Sequence, residues 1–341
     1  MKRRALTAGV AGMATAFFLG LPGFPGLPGI GTPASAAEVN IRIGWATTDS
    51  ETDAYRFAAR AFAAALEKAA PGRFQVSYFP NRQLGDEKEM VQGMQIGTVD
   101  AALITNSIVA NVEPGFLVND LPFLYANTEQ AHRILDGELG NKLFERLAKK
   151  NIVGLAFCES GFRNMINNVR PVAAPKDVEG VKYRVMESPI FIGMYQNLGG
   201  AAVPMAWGDT FTALQQGTID GLEIPTWVIY ASKMYEASKY LSLTQHVYTA
   251  TPLLMSAKAF NRLGKDDQTL VRQAAATACR EQRTFNAKME AENIEALKAK
   301  GMTVNATNDP AAFRDKMRPV YDSYRPKIGD ELMNQWMAAL K

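Results

Sequence analysis

The sequence predicts an α/β fold of two lobes, with a ligand cleft between them and a long helix bridging them. Three observations carry this expectation. Strand-like and helix-like apolar spacings alternate from residue 39 onward. An eleven-residue pattern recurs 120 positions downstream. A run from Lys265 to Lys300 contains no proline and no internal glycine and is rich in Ala, Glu, Lys and Arg, which reads as one or two long helices.

The elements follow in order. Val39, Ile41 and Ile43 alternate with Asn40 and Arg42 in a strand with one buried face. From Asp53 to Leu66 the apolar spacing turns helical through Tyr55, Phe57, Ala58, Phe62 and Leu66. Phe74 to Tyr78 is a second strand, Asp86 to Ile96 a second helix, and Ala101 to Thr105 a third strand. This β-α-β-α-β order predicts an open, largely parallel sheet covered by helices. Apolar residues from Ile152 to Phe157 form a further strand.

Met94-Gln-Ile-Gly-Thr-Val-Asp-Ala-Ala-Leu-Ile104 recurs as Leu214-Gln-Gln-Gly-Thr-Ile-Asp-Gly-Leu-Glu-Ile224. In each copy a helix is expected to end at glycine, Gly97 or Gly217, which tolerates the left-handed C-cap conformation, and an aspartate leads into a strand. Two lobes built to one plan would give this recurrence, and so would two independent loops of the same kind. The second lobe adds a strand with alternating Val181, Tyr183 and Val185, a helix from Pro189 to Leu198, Ala201 to Pro204, a helix from Thr210 to Gln216, and a strand from Gly221 to Ile224. No Pro-, Gly- or Ser-rich linker separates the lobes, so the chain crosses between them more than once. Lobe I is read as 38–160 plus about 250–289, and lobe II as 161–249 plus about 290–341, a layout that opens and closes about a hinge.

Ahead of the first strand, Lys2, Arg3 and Arg4 precede an uncharged stretch from Ala5 to Leu21, and Ala34-Ser-Ala-Ala37 supplies small residues. Residues 1–37 therefore read as a secretory signal cut after Ala36 or Ala37. Seventeen residues with three glycines, followed by Pro22, Pro25 and Pro28, are too short and too broken for a membrane anchor. The Arg3-Arg4 pair leaves both Sec and twin-arginine export open. The formal charge of +3 comes from the leader: without its three cations, thirty-four basic residues face thirty-four acidic ones. A neutral mature chain lacks the footprint for a nucleic-acid backbone.

Catalytic motifs are scarce. GxSxG, HExxH and GxxxxGK[ST] are all missing, and the only histidines are His132 and His246. His132 is expected on an exposed helix face and His246 in a strand or loop contact. Glu87 and Glu89 are expected to be solvated on their helix. Cys158 and Cys279 allow one disulfide or two buried thiols, without zinc-ligand spacing. No cofactor or metal is expected, and the chain does not read as an enzyme.

Arginine is more suggestive. Arg184 lies near the carboxyl end of its strand, where open α/β sheets place ligands. Arg163, after Gly161-Phe162, follows the Ile152–Phe157 strand in a similar position. A guanidinium matches a carboxylate with two parallel hydrogen bonds. Trp207 follows Pro204-Met-Ala and by itself reads as core as readily as ligand platform.

These residues fall within a longer ordered set: Asn81-Arg-Gln-Leu-Gly-Asp-Glu-Lys-Glu89, Gln95 to Asp100, Asp120-Leu-Pro-Phe-Leu-Tyr125, Gly161-Phe-Arg163, Asp177-Val-Glu-Gly-Val-Lys-Tyr-Arg184 and Leu214 to Pro225. The set resembles the substrate-binding proteins of tripartite ATP-independent periplasmic (TRAP) transporters, the DctP-like dicarboxylate-binding group. The resemblance implies a two-lobed periplasmic binding-protein fold that closes on a small organic acid and delivers it to TRAP permease subunits in the membrane. It implies that Arg184 forms the main carboxylate salt bridge, that Arg163 assists, and that Trp207 lines the pocket. Thr105, Asn106 and Glu187 fall where relatives place selectivity contacts. Ile224 departs from relatives, sialic-acid binders among them, that have Asn before the proline matching Pro225; this removes a polar partner for the carboxylate, and Trp227 and Tyr230 follow closely. The competing readings are a binding protein of an ABC importer and a periplasmic enzyme acting on organic acids.

Overall fold

The structure, a computed structural model, describes residues 39–341. The leader predicted over 1–37 lies outside the described residues. Nine strands form one sheet: β1 Val39–Gly44, β2 Phe74–Phe79, β3 Ala101–Leu103, β4 Ile152–Asn167, β5 Lys182–Val185, β6 Ala201–Pro204, β7 Gly221–Ile224, β8 Tyr240–Ser256 and β9 Thr303–Ala306. Their order is β2-β1-β3-β8-β4-β7-β5-β6, with β9 beside β8.

The two halves of this sheet repeat one another. β1 sits between β2 and β3, parallel to both, and β5 sits likewise between β6 and β7. The recurring sequence makes the same turn in each. The helix Glu87–Ile96 ends at Gly97 with φ +82°, and Thr98 N–H returns to Gly93 O at 2.8 Å. The helix Trp207–Gln215 runs to Gly217 with φ +71°, and Thr218 N–H returns to Ala213 O at 2.9 Å. Asp100 then accepts the Arg42 N–H in β1 at 3.2 Å, and Asp220 accepts the Lys182 N–H in β5 at 2.8 Å. Of the two explanations for the recurrence, the common plan is the correct one.

The long antiparallel strands β4 and β8 serve both halves. β8 pairs with β3 through its carboxyl end, Leu253–Met255, and with β9 through its amino end, Tyr240–Leu243. β4 pairs with β7 only over Asn164–Asn167. Register shifts in the β4–β8 ladder fall at Glu159/Gly161 and Arg163/Met165, where the strands leave one half for the other. Gly161, with φ +94°, makes that irregularity affordable, since left-handed backbone carries no Cβ clash at glycine. The sequence reading ended this strand at Phe157; the glycine is a bulge inside a sixteen-residue strand.

The predicted long helix is a single element, Lys265–Ala299. It packs along the helix Ala54–Ala69 and β4, and against the helix Thr226–Ala231 and β9. Cys279 on this helix and Cys158 on β4 form a disulfide, so the open choice between a bridge and two thiols falls to the bridge. One turn further on, Gln282 accepts the Glu159 N–H at 3.0 Å and donates to the Glu159 carbonyl at 2.8 Å. The C-terminal helix Asp330–Ala339 packs back on the first half, where Trp336 Nε1 donates to Tyr125 Oη at 3.0 Å. Among the described residues no helix is long and apolar enough to cross a membrane.

Candidate ligand-binding site

A cavity with about 400 Å³ of empty volume lies between the halves of the sheet, at the lower end of the range for small-molecule sites. From the first half it is lined by Thr47, Tyr55, Glu87 and Thr105; from the second by Arg163, Arg184, Met186, Trp207 and Ile224. Five of the seven residues singled out from sequence (Arg163, Arg184, Trp207, Thr105 and Ile224) are thus brought to one surface. The other two are not among its lining residues. Asn106 is fully buried and spent on a polar network: its Nδ2 donates to Phe116 O and Asp120 Oδ1, both at 2.9 Å, and its Oδ1 accepts from Asn119 at 3.0 Å. Glu187 is half-buried, and its carbonyl accepts from Asn111 Nδ2 at 2.9 Å.

The two arginines differ in what already holds them. Both are 3% exposed. Arg163 sits inside β4 and not at a strand end, because the strand continues through the Gly161 bulge. Its guanidinium is ion-paired with the fully buried Glu223 of β7 and donates to Thr249 Oγ1 at 3.3 Å. Burial disfavours the Arg163 cation, but the Glu223 charge outweighs it and holds the pKa above the usual value. Arg184, on β5, donates through Nε and Nη2 to a single carbonyl, Met205 O, at 2.9 and 2.6 Å. Among the described residues no carboxylate lies within salt-bridge distance of it. Burial pushes its pKa down to about 10, with the Arg163 charge acting in the same direction, so it stays a cation at neutral pH. Its Cζ stands 5.9 Å from the Trp207 ring centroid, so the indole forms one wall beside the charge.

Sequence reasoning missed Glu87. Its place in the first turn of a helix suggested a solvated residue, yet that turn faces the cavity and Glu87 is 7% exposed, unlike the exposed Glu89. Thr105 donates to its Oε1 through both N–H and Oγ1, at 2.6 and 2.7 Å. Burial raises its pKa, while the Thr105 bonds and the Arg184 charge oppose the rise. The cavity thus has a cation at one side and a carboxylate opposite.

The histidines frame the site from behind. His132 is not on a free helix face; its Nε2 lies 2.7 Å from Glu159 Oε2. His246 is fully buried in β8, with Nδ1 2.7 Å from Thr244 Oγ1 and Nε2 3.7 Å from Glu223. Trp227 Nε1 donates to Ser160 O at 2.8 Å and its ring meets Tyr55 edge-on at 5.1 Å, closing the rear wall.

Such a chamber can hold an anion by its carboxylate at Arg184 and offer hydrogen-bond acceptors to the rest of it. The family model for bacterial extracellular solute-binding protein family 7, DctP, matches residues 45–327. A solute-binding protein of Verminephrobacter eiseniae is 36% identical over 305 residues, 89% of this chain and 90% of that one. Among solved structures, a TRAP periplasmic solute-binding protein from Polaromonas bound to D-erythronate is similar with a TM-score of 0.85 and 34% identity, covering 88% of this chain and 99% of that one. The sugar acid binding protein DctPAm from Advenella mimigardefordensis, in complex with galactonate, gives a TM-score of 0.86 at 32% identity, covering 89% and 98%. With its duplicated half-sheets, its bridging helix and its buried arginine, the chain belongs to the DctP family of TRAP-type extracellular solute-binding proteins.

Proposed function

We propose that this protein is an exported receptor that closes on a hydroxylated monocarboxylate of the sugar-acid class and hands it to a TRAP permease. The observation that carries the reading is Arg184, a buried cation whose only protein partner is a carbonyl. A buried charge without a counter-ion is costly, and a ligand carboxylate would supply the missing partner. Arg163 assists through its position; its own charge is largely balanced by Glu223. Thr105, Trp207 and Ile224 contribute the selectivity surface, and the leader at 1–37 directs the chain to the periplasm.

Glu87 sets the chemical class. A second ligand carboxylate placed opposite Arg184 would meet a buried carboxylate, and like charges at close range in a desolvated site cost several kcal/mol. A hydroxyl in the same place donates to Glu87 and is favoured. Simple dicarboxylates are therefore disfavoured, and aldonates or uronates, the kind of ligand bound by the Polaromonas and Advenella relatives, are favoured.

Thermal unfolding of the protein with D-erythronate, D-galactonate, D-glucuronate, succinate and the matching neutral polyols tests this. A ligand of the folded state raises the melting temperature. The sugar acids are expected to raise it, while succinate and the polyols leave it in place. In Glu87→Gln the succinate shift should emerge as the hydroxy-acid shift falls. A wild-type protein that prefers succinate contradicts the assignment.

A further inference from the structure

Asp86 and Glu87 adjoin on one side of the cavity, and Trp207 and Gly208 adjoin on the other. Glu87 and Trp207 line the cavity; their neighbours meet just outside it. Asp86 occupies the N-cap position of its own helix, Glu87–Ile96, yet its side chain makes no cap bond there. The helix Trp207–Gln215 in the other half has Ala206 at its N-cap position and no side-chain cap of its own. The Gly208 backbone N–H instead donates to the Asp86 carboxylate. Arg82 completes the contact, with Nη1 3.7 Å from Asp86 Oδ2. It is presented by two consecutive residues in left-handed backbone, Asn81 at φ +52° and Arg82 at φ +61°. A side chain at position 208 would overlap the Arg82 guanidinium and place its Cβ 2.9 Å from Asp86 Oδ2. Glycine is therefore what lets the halves approach this closely.

We infer that Asp86, Arg82 and Gly208 form a latch between the halves, in which a carboxylate of one caps a helix of the other and holds the cavity shut. This rests on the reading that the halves close on a ligand, but not on the ligand's class. An N-cap carboxylate satisfies orphan N–H groups and meets the positive end of the helix dipole, so the contact stabilises the closed arrangement whatever occupies the cavity. Apparent affinity scales with the fraction of protein in the competent state. A latch residue that touches no ligand must then change the affinity for every ligand by one common factor. A ligand contact such as Glu87 changes the ranking instead. Asp86 is in this sense a positioning residue.

The test is calorimetric titration of wild type, Asp86→Ala, Asp86→Asn and Gly208→Leu with each sugar acid of the panel, extended to neutral sugars and amino acids. Asp86→Ala should weaken every ligand that binds by the same factor, about 5- to 10-fold for a lost cap. Asp86→Asn keeps an acceptor of equal capping strength and should stay within about 2-fold. Gly208→Leu should weaken all ligands more than Asp86→Ala does, with its unfolding temperature in the ligand-free state preserved. Unchanged affinities in Asp86→Ala, or a loss confined to one ligand, would overturn the latch. Because the factor is read on whichever ligand binds, a neutral sugar or amino acid as the sole binder refutes the sugar-acid reading while still testing the latch.

Discussion

Arg184 and Arg163 are the same residue type, equally buried in one cavity, and their partners make them opposites. Glu223 neutralises Arg163, whereas Arg184 has a carbonyl and an open side. Arg184→Ala should therefore weaken acid binding by about 3–5 kcal/mol, the cost of removing one partner of a buried pair, with the apo melting temperature unchanged or higher. Titration calorimetry and a melt of the same sample check both halves of that statement. Asp120 makes a second prediction at this scale. Burial raises its carboxyl to about 7, with the Asn106 bond opposing, while Oδ2 has no partner. The folded state then holds a proton that the unfolded chain releases near the ordinary 3.8. Its contribution is full below that value and is lost as pH rises through 7. Asp120→Asn should flatten the fall in melting temperature between pH 5 and pH 8. An unchanged slope would place the titration elsewhere. The arginines were legible because strand ends in α/β sheets are where ligands go. Glu87 was not, because first-turn glutamates usually face water, and only the inward tilt of this helix distinguishes it from Glu89. Asn106 misled in the converse way: it follows Thr105 in sequence, but its amide is consumed by Asp120 and Asn119.

Among the elements, the duplicated helix–glycine–aspartate–strand unit could be read directly, since the αL turn and the carboxylate bonded to a neighbouring strand each demand specific residues. Strands β4 and β8 could not, because Gly161 and the polar run Thr244-Gln-His246 break the apolar alternation at the point where each strand changes partners. The pairing of Cys158 with Cys279 was equally hidden, as it depends on where the long helix crosses β4. That bridge closes a sequence separation of 121 residues. Its removal in Cys158→Ser/Cys279→Ser should cost about 2–5 kcal/mol, read as a lower denaturation midpoint with an unchanged slope. Gln282 and the Arg283–Asp136 pair, at 2.6 Å, keep the helix seated on β4. Ligand affinity in the double variant should consequently stay within a few-fold of wild type. A collapse of affinity would mean the bridge sets the closed geometry itself.

For the molecule as a whole, two half-sheets share the strands β4 and β8, and the cavity lies between the halves near the register shifts. This arrangement lets a small ligand govern a large motion: closing brings Glu87 and Thr105 over an anion already seated at Arg184, excludes water and strengthens the ion pair. The ligand favours the closed form only to the extent that it binds it more tightly, which is why an anchor on one half and acceptors on the other are both needed. The measurement that bears most directly on this account is calorimetric titration of the wild-type protein with D-galactonate and, in parallel, with galactitol, its neutral counterpart. Saturable binding of the acid and none of the polyol is the expected result. Equal binding of both, or of the polyol alone, would mean that Arg184 is not a carboxylate anchor.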